Sequence, residues 1–146
     1  MDTLVTTHST EETRAFGARL AKEILPGTLL CLQGDLGAGK TTLVQGLLEG
    51  LGAPRPYVSP TFVIMKQYDL PAPTAGIKRV YHADAYRVEE KDFREIGFVE
   101  WCTDDEGLVI LEWPERIPGI LPEKRITVTL RSLSESEREI SVKENS

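Results

Sequence analysis

At 146 residues, the chain is long enough for one domain, spanning 1–146, with a core that needs no disulfide or metal staple. Its 40% apolar and 27% charged residues are those of a soluble globular protein, and no apolar run approaches the roughly 20 residues that cross a bilayer, which argues against a membrane protein. The formal net charge of −6 argues against a chain that holds nucleic acid by itself, because neutralising phosphates supplies most of such affinity; any RNA is then held through a partner.

Residues Met1–Thr10 lack the basic-then-apolar order of a secretory signal. Leu4–Thr7 reads as a short edge strand. Ser9 and Glu12 have capping-box spacing, and Phe16, Leu20 and Ile24, with Ala15 and Ala21 beside them, predict one apolar helix face that ends at Pro26-Gly27. Thr28–Gln33 reads as a buried strand, Gly34–Gly39 as a loop and Lys40–Leu51 as a helix closed by Gly50 and Gly52. Pro and Gly mark Ala53–Pro60 and Leu70–Gly76 as loops. Phe62–Tyr68 and Ile77–His82 are strand-like, Glu89–Ile96 is a short helix, and Leu108–Glu112 is an apolar run ending in an acid. Arg125–Leu130 alternates with period two, and Glu139–Val142 is placed to close a terminal hairpin with it. The alternation predicts an α/β fold with a mixed sheet, central parallel strands with antiparallel additions, and helices on both faces; the Gly34–Thr41 motif between the Thr28–Gln33 strand and the helix from Lys40 makes that sheet P-loop NTPase-like. Cys31 and Cys102 form no CxxC pair and read as packing thiols in a reducing compartment.

Residues Gly34-Asp35-Leu36-Gly37-Ala38-Gly39-Lys40-Thr41 match G-x-x-x-x-G-K-[ST] without a mismatch, between a predicted strand and a predicted helix. A helix start leaves backbone N–H groups without partners and carries a partial positive charge, so it receives anions. The glycines let the backbone approach phosphate oxygens. Lys40 supplies a point charge, and the Thr41 hydroxyl suits Mg²⁺, a hard ion that prefers oxygen. Thr42 either substitutes for Thr41 or faces the core.

Such a loop needs a carboxylate near the metal at the end of an apolar strand. Glu112 closes Leu108-Val109-Ile110-Leu111, and Asp84 closes Val80-Tyr81-His82-Ala83. One acid would hold Mg²⁺ through water, and the other would orient the attacking water or a second metal-bound water, so Glu112 and Asp84 both stand as metal candidates; the sequence does not assign the roles. The plainer reading of each is a helix cap or surface carboxylate. His82 reads as satisfying a local hydrogen bond. Ser59-Pro60-Thr61 reads either as a turn or as a switch-like loop in which Thr61 senses a γ-phosphate. Trp113 either packs or lines the site.

Four segments, in order, resemble the TsaE family, formerly YjeE: 34–42, Ser59-Pro60-Thr61-Phe62, Tyr81-His82-Ala83-Asp84-Ala85-Tyr86-Arg87 and Glu112-Trp113-Pro114-Glu115-Arg116. The resemblance covers roughly positions 10 to 125 and fades after Leu130. It implies a cytoplasmic bacterial ATPase with ATP and Mg²⁺ as cofactors. It also implies work with TsaB, TsaC and TsaD, which make threonylcarbamoyladenosine at position 37 of tRNA, by docking on the TsaB–TsaD assembly and resetting it through ATP hydrolysis. Carried over, Lys40 and Thr41 bind phosphate and Mg²⁺. Glu112 matches the metal-associated acid, Asp84 the second acid and Thr61 the switch threonine. Trp113 lies beside the nucleotide, Thr10 near its base, and Arg138 matches a nucleotide-contacting arginine.

Three other readings compete. A small-molecule P-loop kinase needs an Arg-rich lid, and arginines here are scattered. A GTPase switch brings an Asn-Lys-x-Asp motif, which is absent. A non-hydrolysing, ATP-gated interaction module would release no phosphate.

Overall fold

The computed structural model describes residues 2–35 and 37–145. Seven strands form one mixed sheet in the order β1-β7-β6-β2-β5-β4-β3. They are β1 (Thr3–Thr7), β2 (Thr28–Gln33), β3 (Met65–Thr74), β4 (Ile77–Asp84), β5 (Gly107–Glu112), β6 (Arg125–Ser132) and β7 (Arg138–Asn145). The centre is parallel: β2 pairs with both β5 and β6, and β5 pairs with β4. The flanks β1–β7, β6–β7 and β3–β4 are antiparallel. This is the mixed sheet that the alternation predicts, and β6–β7 is the expected terminal hairpin.

Helices cover both faces. On one face, α1 (Thr10–Ala21) and α2 (Lys40–Gly50) pack over Leu30, Leu32, Val80, Leu108, Ile110 and Val128. On the other, α3 (Glu90–Glu95), α4 (Phe98–Cys102) and two 3-10 turns at Pro114–Arg116 and Pro118–Ile120 pack with Leu29, Cys31, Tyr81, Val109 and Leu111. Strand side chains alternate between faces, so one strand's even-numbered residues face α1 and α2 while its odd-numbered residues face α3 and α4. The central strands are buried on both sides, hence their continuous apolar runs. Burial pushes the Cys31 and Cys102 thiols up to about 12, so both stay protonated and inert.

Several local expectations need correction. Ser9 Oγ accepts from Glu12 N as a cap should, but the Glu12 carboxylate reaches back to His8 N rather than Ser9 N. Helix α1 stops at Ala21, ahead of Pro26, and Ile24 enters the core from the segment that follows. Ala15 is exposed; Thr13 and Gly17 complete the buried face, with Thr13 Oγ1 2.7 Å from Thr7 Oγ1. Leu70–Gly76 is mostly strand. Pro71 and Pro73 are tolerated because β3 is an edge strand, where half the N–H groups need no ladder partner. The turn is only Ala75-Gly76, both with positive φ, which matches a two-residue hairpin. The expected strand Phe62–Tyr68 begins only at Met65, because Ile64 N donates to Pro60 O at 2.7 Å and holds 60–64 in a turn. Helix α4 follows no sequence signal seen above.

Helices α1 and α2 cross with their backbones in near contact. A Cβ on Gly46 would run into the Arg14 carbonyl, and one on Gly17 into the Leu43 carbonyl. These glycines set the depth at which α2 sits, and so the position of its N-terminus. Gly46→Ala is expected to lower unfolding free energy by about 1–3 kcal/mol, since the intruding methyl meets backbone that cannot rotate away. Urea unfolding measures this, and a loss under about 0.5 kcal/mol would mean that the helices do not touch there.

Candidate nucleotide site

Strand β2 ends at Gln33, and the Gly-rich segment turns the chain into α2, whose first residue is Lys40. Gly34 has φ +153°, and a Cβ there would stand 2.7 Å from the Leu130 carbonyl oxygen. No other residue fits between the loop and β6 without moving backbone. Gly39 takes the N-cap position of α2 at φ +99°, and Leu43 N donates to Gly39 O at 2.9 Å. The loop is braced from the far hairpin: Arg138 Nη2 donates to Gly37 O at 3.1 Å, while Nη1 donates to Ser134 O at 2.8 Å. Because α2 begins seven residues after the end of β2, its N-terminus, where a helix leaves N–H groups without intrahelical partners, lies beyond the carboxyl end of that strand.

The acids arrive there by register. Leu32 of β2 sits beside Glu112 of β5, which sits beside Asp84 of β4. In a paired row the side chains share a face, so Glu112 and Asp84 emerge on the side occupied by α2. Both are buried. Asp84 Oδ1 accepts from Tyr86 N at 2.8 Å, and Asp84 Oδ2 accepts from the Thr61 hydroxyl at 3.3 Å. Thr61 Oγ1 lies 2.9 Å from Ser59 Oγ. A hydroxyl chain therefore links the 58–64 loop to the sheet. Glu112 Oε2 accepts from His82 Nε2 at 2.7 Å.

Lys40 is the most exposing feature of the site. Its side chain is buried, and Nζ has no hydrogen-bond partner among the described residues. Leaving an ammonium so is costly, and the group is matched to an anion. Its neighbour is Trp113, with Nζ 4.0 Å from the ring centroid. Such a contact is worth roughly 0.5–2 kcal/mol, less than a charge-assisted hydrogen bond to phosphate supplies. Trp113 is in the left-handed region, φ 61° and ψ 49°, which turns the chain sharply after Glu112 and lays the indole over Lys40. Tyr86 packs against the indole at a tilt, ring centroids 4.8 Å apart, and the Arg116 guanidinium lies 5.3 Å from the Tyr86 centroid.

A cleft of about 460 Å³ is lined by Tyr86, Arg87 and, of the sequence candidates, Gly37, Gly39, Lys40, Thr41, Thr42, Thr61, Asp84, Glu112, Trp113 and Arg138. Thr10 lines a smaller adjoining cavity together with Gly39, Thr42 and Arg138. Gly34, Asp35 and Ala38 do not line the cleft: Gly34 abuts β6, Ala38 is buried in the core, and Asp35 is exposed with its carbonyl accepting from Ala38 N. Leu36 lies outside the described residues. Physical reasoning on the sequence missed Tyr86 and Arg87 as site residues. They stood inside the quoted segments, but nothing in their spacing tells a cleft wall from a surface. Among the described residues no three His, Cys, Asp or Glu side chains converge as a metal cage. Mg²⁺ is in any case usually held by one or two protein oxygens together with substrate phosphates, and Thr41 and Glu112 supply that donor set.

Residues 7–140 match the family described as threonylcarbamoyl adenosine biosynthesis protein TsaE. The chain belongs to the TsaE family. It is 39% identical over 131 residues to the tRNA threonylcarbamoyladenosine biosynthesis protein TsaE of Bacillus subtilis, covering 90% of this chain and 78% of that one. It is 38% identical over 135 residues to the TsaE of Treponema pallidum, covering 92% and 95%. A crystal structure of Bacillus subtilis YdiB superposes with a TM-score of 0.82 at 32% identity, covering all of this chain and 87% of that one. The four segments quoted from the sequence all fall inside the matched range, so this family member carries them on the strand ends and loops around one cleft.

If the loop cradles a triphosphate, Gly34→Ala is expected to weaken that binding at least about tenfold, because the loop must move away from Leu130. Isothermal titration reads this, and affinity equal to wild type would mean that the loop tolerates a side chain and that its backbone does not approach the ligand.

Proposed function

We propose that the chain binds Mg-ATP in this cleft and hydrolyses it, and that it serves threonylcarbamoyladenosine modification of tRNA in the cytoplasm by acting on a TsaB–TsaD assembly. The observation that carries the reading is the buried Lys40 ammonium, which has no hydrogen-bond partner among the described residues. It sits at the start of α2, in one cleft with Thr41, Asp84 and Glu112. The names of the relatives supply the pathway.

The chain's own groups divide the work. The α2 N-terminus and Lys40 receive the β- and γ-phosphates, and Lys40 exchanges the Trp113 face for phosphate oxygens. Thr41 and Glu112 hold Mg²⁺, which when bound draws charge from the phosphate oxygens. Asp84, already bonded to Thr61, stands to orient the attacking water from the sheet side, and Thr61 reports the γ-phosphate to its loop. Trp113 and Tyr86 wall the cleft from solvent. Thr10 and Arg138, on the side away from the acids, flank the nucleoside end. The acidic chain lacks the basic surplus of an autonomous nucleic-acid binder, so its link to tRNA runs through the TsaB–TsaD complex; TsaC acts in the same pathway.

Lys40→Ala is expected to weaken Mg-ATP binding about 10- to 100-fold, the loss of a hydrogen bond to a charged group. Glu112→Ala is expected to slow hydrolysis about 100-fold while nucleotide affinity changes much less, since a charge on the metal acts mostly in the transition state. Phosphate release is to be measured for the chain alone and with purified TsaB–TsaD, with Lys40→Ala as the control. Stimulation by the pair, lost in the variant, supports the reading. Mg-ATP binding without hydrolysis in either case would overturn the ATPase, and hydrolysis indifferent to TsaB–TsaD would overturn the assembly role.

A further inference from the structure

His82 is buried on β4, two residues before Asp84 and therefore on the same face, diagonal to Glu112 across the β4–β5 pair. Its Nε2 is 2.7 Å from Glu112 Oε2. Ionised, a carboxylate only accepts, so Nε2 carries the proton and donates. Among the described residues this is the one hydrogen bond to the Glu112 side chain. The second ring nitrogen, Nδ1, is buried with no partner among the described residues. His82, Glu112, Thr41, Gln45 and Ser59 line a second, small cavity of about 30 Å³ beside the cleft. That is room for a single water, and the lining supplies it with polar partners. Glu112, Thr41 and Ser59 line both spaces, so they form the wall between the small cavity and the cleft.

We propose that His82 is the positioning residue for Glu112. Its Nε2–H holds Oε2 toward the small cavity and thereby turns Oε1 to the cleft and to Thr41. A water in the small cavity donates to Nδ1 and sets the tautomer, as outer-shell groups do for a ligand carboxylate or imidazole. Without the imidazole, Glu112 ends a strand with three free torsions and, among the described residues, no other hydrogen-bond partner for its carboxylate. The inference rests on the reading of Glu112 as the acid that serves Mg-ATP.

Two measurements test it. The chain has two histidines, His8 and His82, so ring resonances of the ¹⁵N-labelled protein are assigned by deleting either. The expected spectrum places the His82 proton on Nε2, slow to exchange, with its resonance shifted in Glu112→Ala. A proton on Nδ1, or an Nε2 signal indifferent to Glu112→Ala, overturns the proposal without touching the nucleotide reading. In single-turnover hydrolysis, His82→Leu is expected to lose about 10- to 100-fold in rate while Mg-free nucleotide affinity stays within about threefold. His82→Gln, whose amide nitrogen takes the place of Nε2, is expected to recover most of that loss, with thermal midpoints of both variants compared to wild type. A His82→Leu rate like wild type, beside a slow Glu112→Ala, overturns the positioning role and leaves Glu112 in place. No rate loss in Glu112→Ala itself removes the reading of Glu112 and the inference together.

Discussion

The parallel register of β2, β5 and β4 is the constraint on which the site depends. It sets Leu32, Glu112 and Asp84 in one row, with His82 one pleat behind. Because strand side chains alternate, a slip of one residue in β5 would turn Glu112 onto the α3–α4 face and leave an acid among Phe93, Phe98 and Trp101. Residues 108–111 of β5 are apolar on both faces, so their pattern alone tolerates that slip; the cost of burying Glu112 among aromatic side chains forbids it, and the core thereby aims the acid. The glycine crossing of α1 and α2 plays the matching role for the helix: it sets how deeply α2 lies and where its N-terminus meets the row.

Costs to stability gather around the same cleft. Lys40 buries an ammonium, Glu112 and His82 bury a polar pair, and Trp113 and Ile64 hold left-handed backbone at φ 61° and 70°. Away from it, among the described residues, the remaining left-handed non-glycine is Ala75 at φ 53°, which the two-residue β3–β4 hairpin requires. Strain that no turn accounts for commonly marks the place where ligands bind. Trp113 shows the economy of the arrangement. Its strained backbone turns the chain out of β5, and its indole face covers the Lys40 charge.

The 58–64 loop joins this centre to the surface. Thr61 contacts Asp84, Ile64 O accepts from Asp84 N, and between them Phe62 and Val63 stand exposed. The Arg87 guanidinium lies 5.2 Å from the Phe62 centroid, so the loop's outer side is tied to the segment after Asp84 as well. A rearrangement at Asp84 would thus reach exposed apolar side chains within three residues. Such coupling is short because it runs through backbone and one hydroxyl rather than through the core.

The sequence by itself determined the mixed α/β character, the Gly-rich turn from β2 into α2, the terminal hairpin and the two acids at strand ends. These are local: period-two runs, a fixed motif spacing and an apolar run stopped by a carboxylate are written in contiguous residues. It also carried the family resemblance, because four short segments in order need no geometry to be matched. Only the tertiary structure decided that β1 closes against β7, that Pro71 and Pro73 lie on an edge strand, that Phe62 is outside the sheet, and that α4 exists. Each depends on which strand is a neighbour or an edge, and long-range pairing leaves no mark in a single segment. The same holds within the site. The sequence left His82 as a local hydrogen-bonding residue and Trp113 undecided between packing and lining. Register places His82 diagonal to Glu112 and a left-handed turn sets Trp113 on Lys40, because through-space distance follows from strand neighbours and backbone dihedrals, not from separation along the chain.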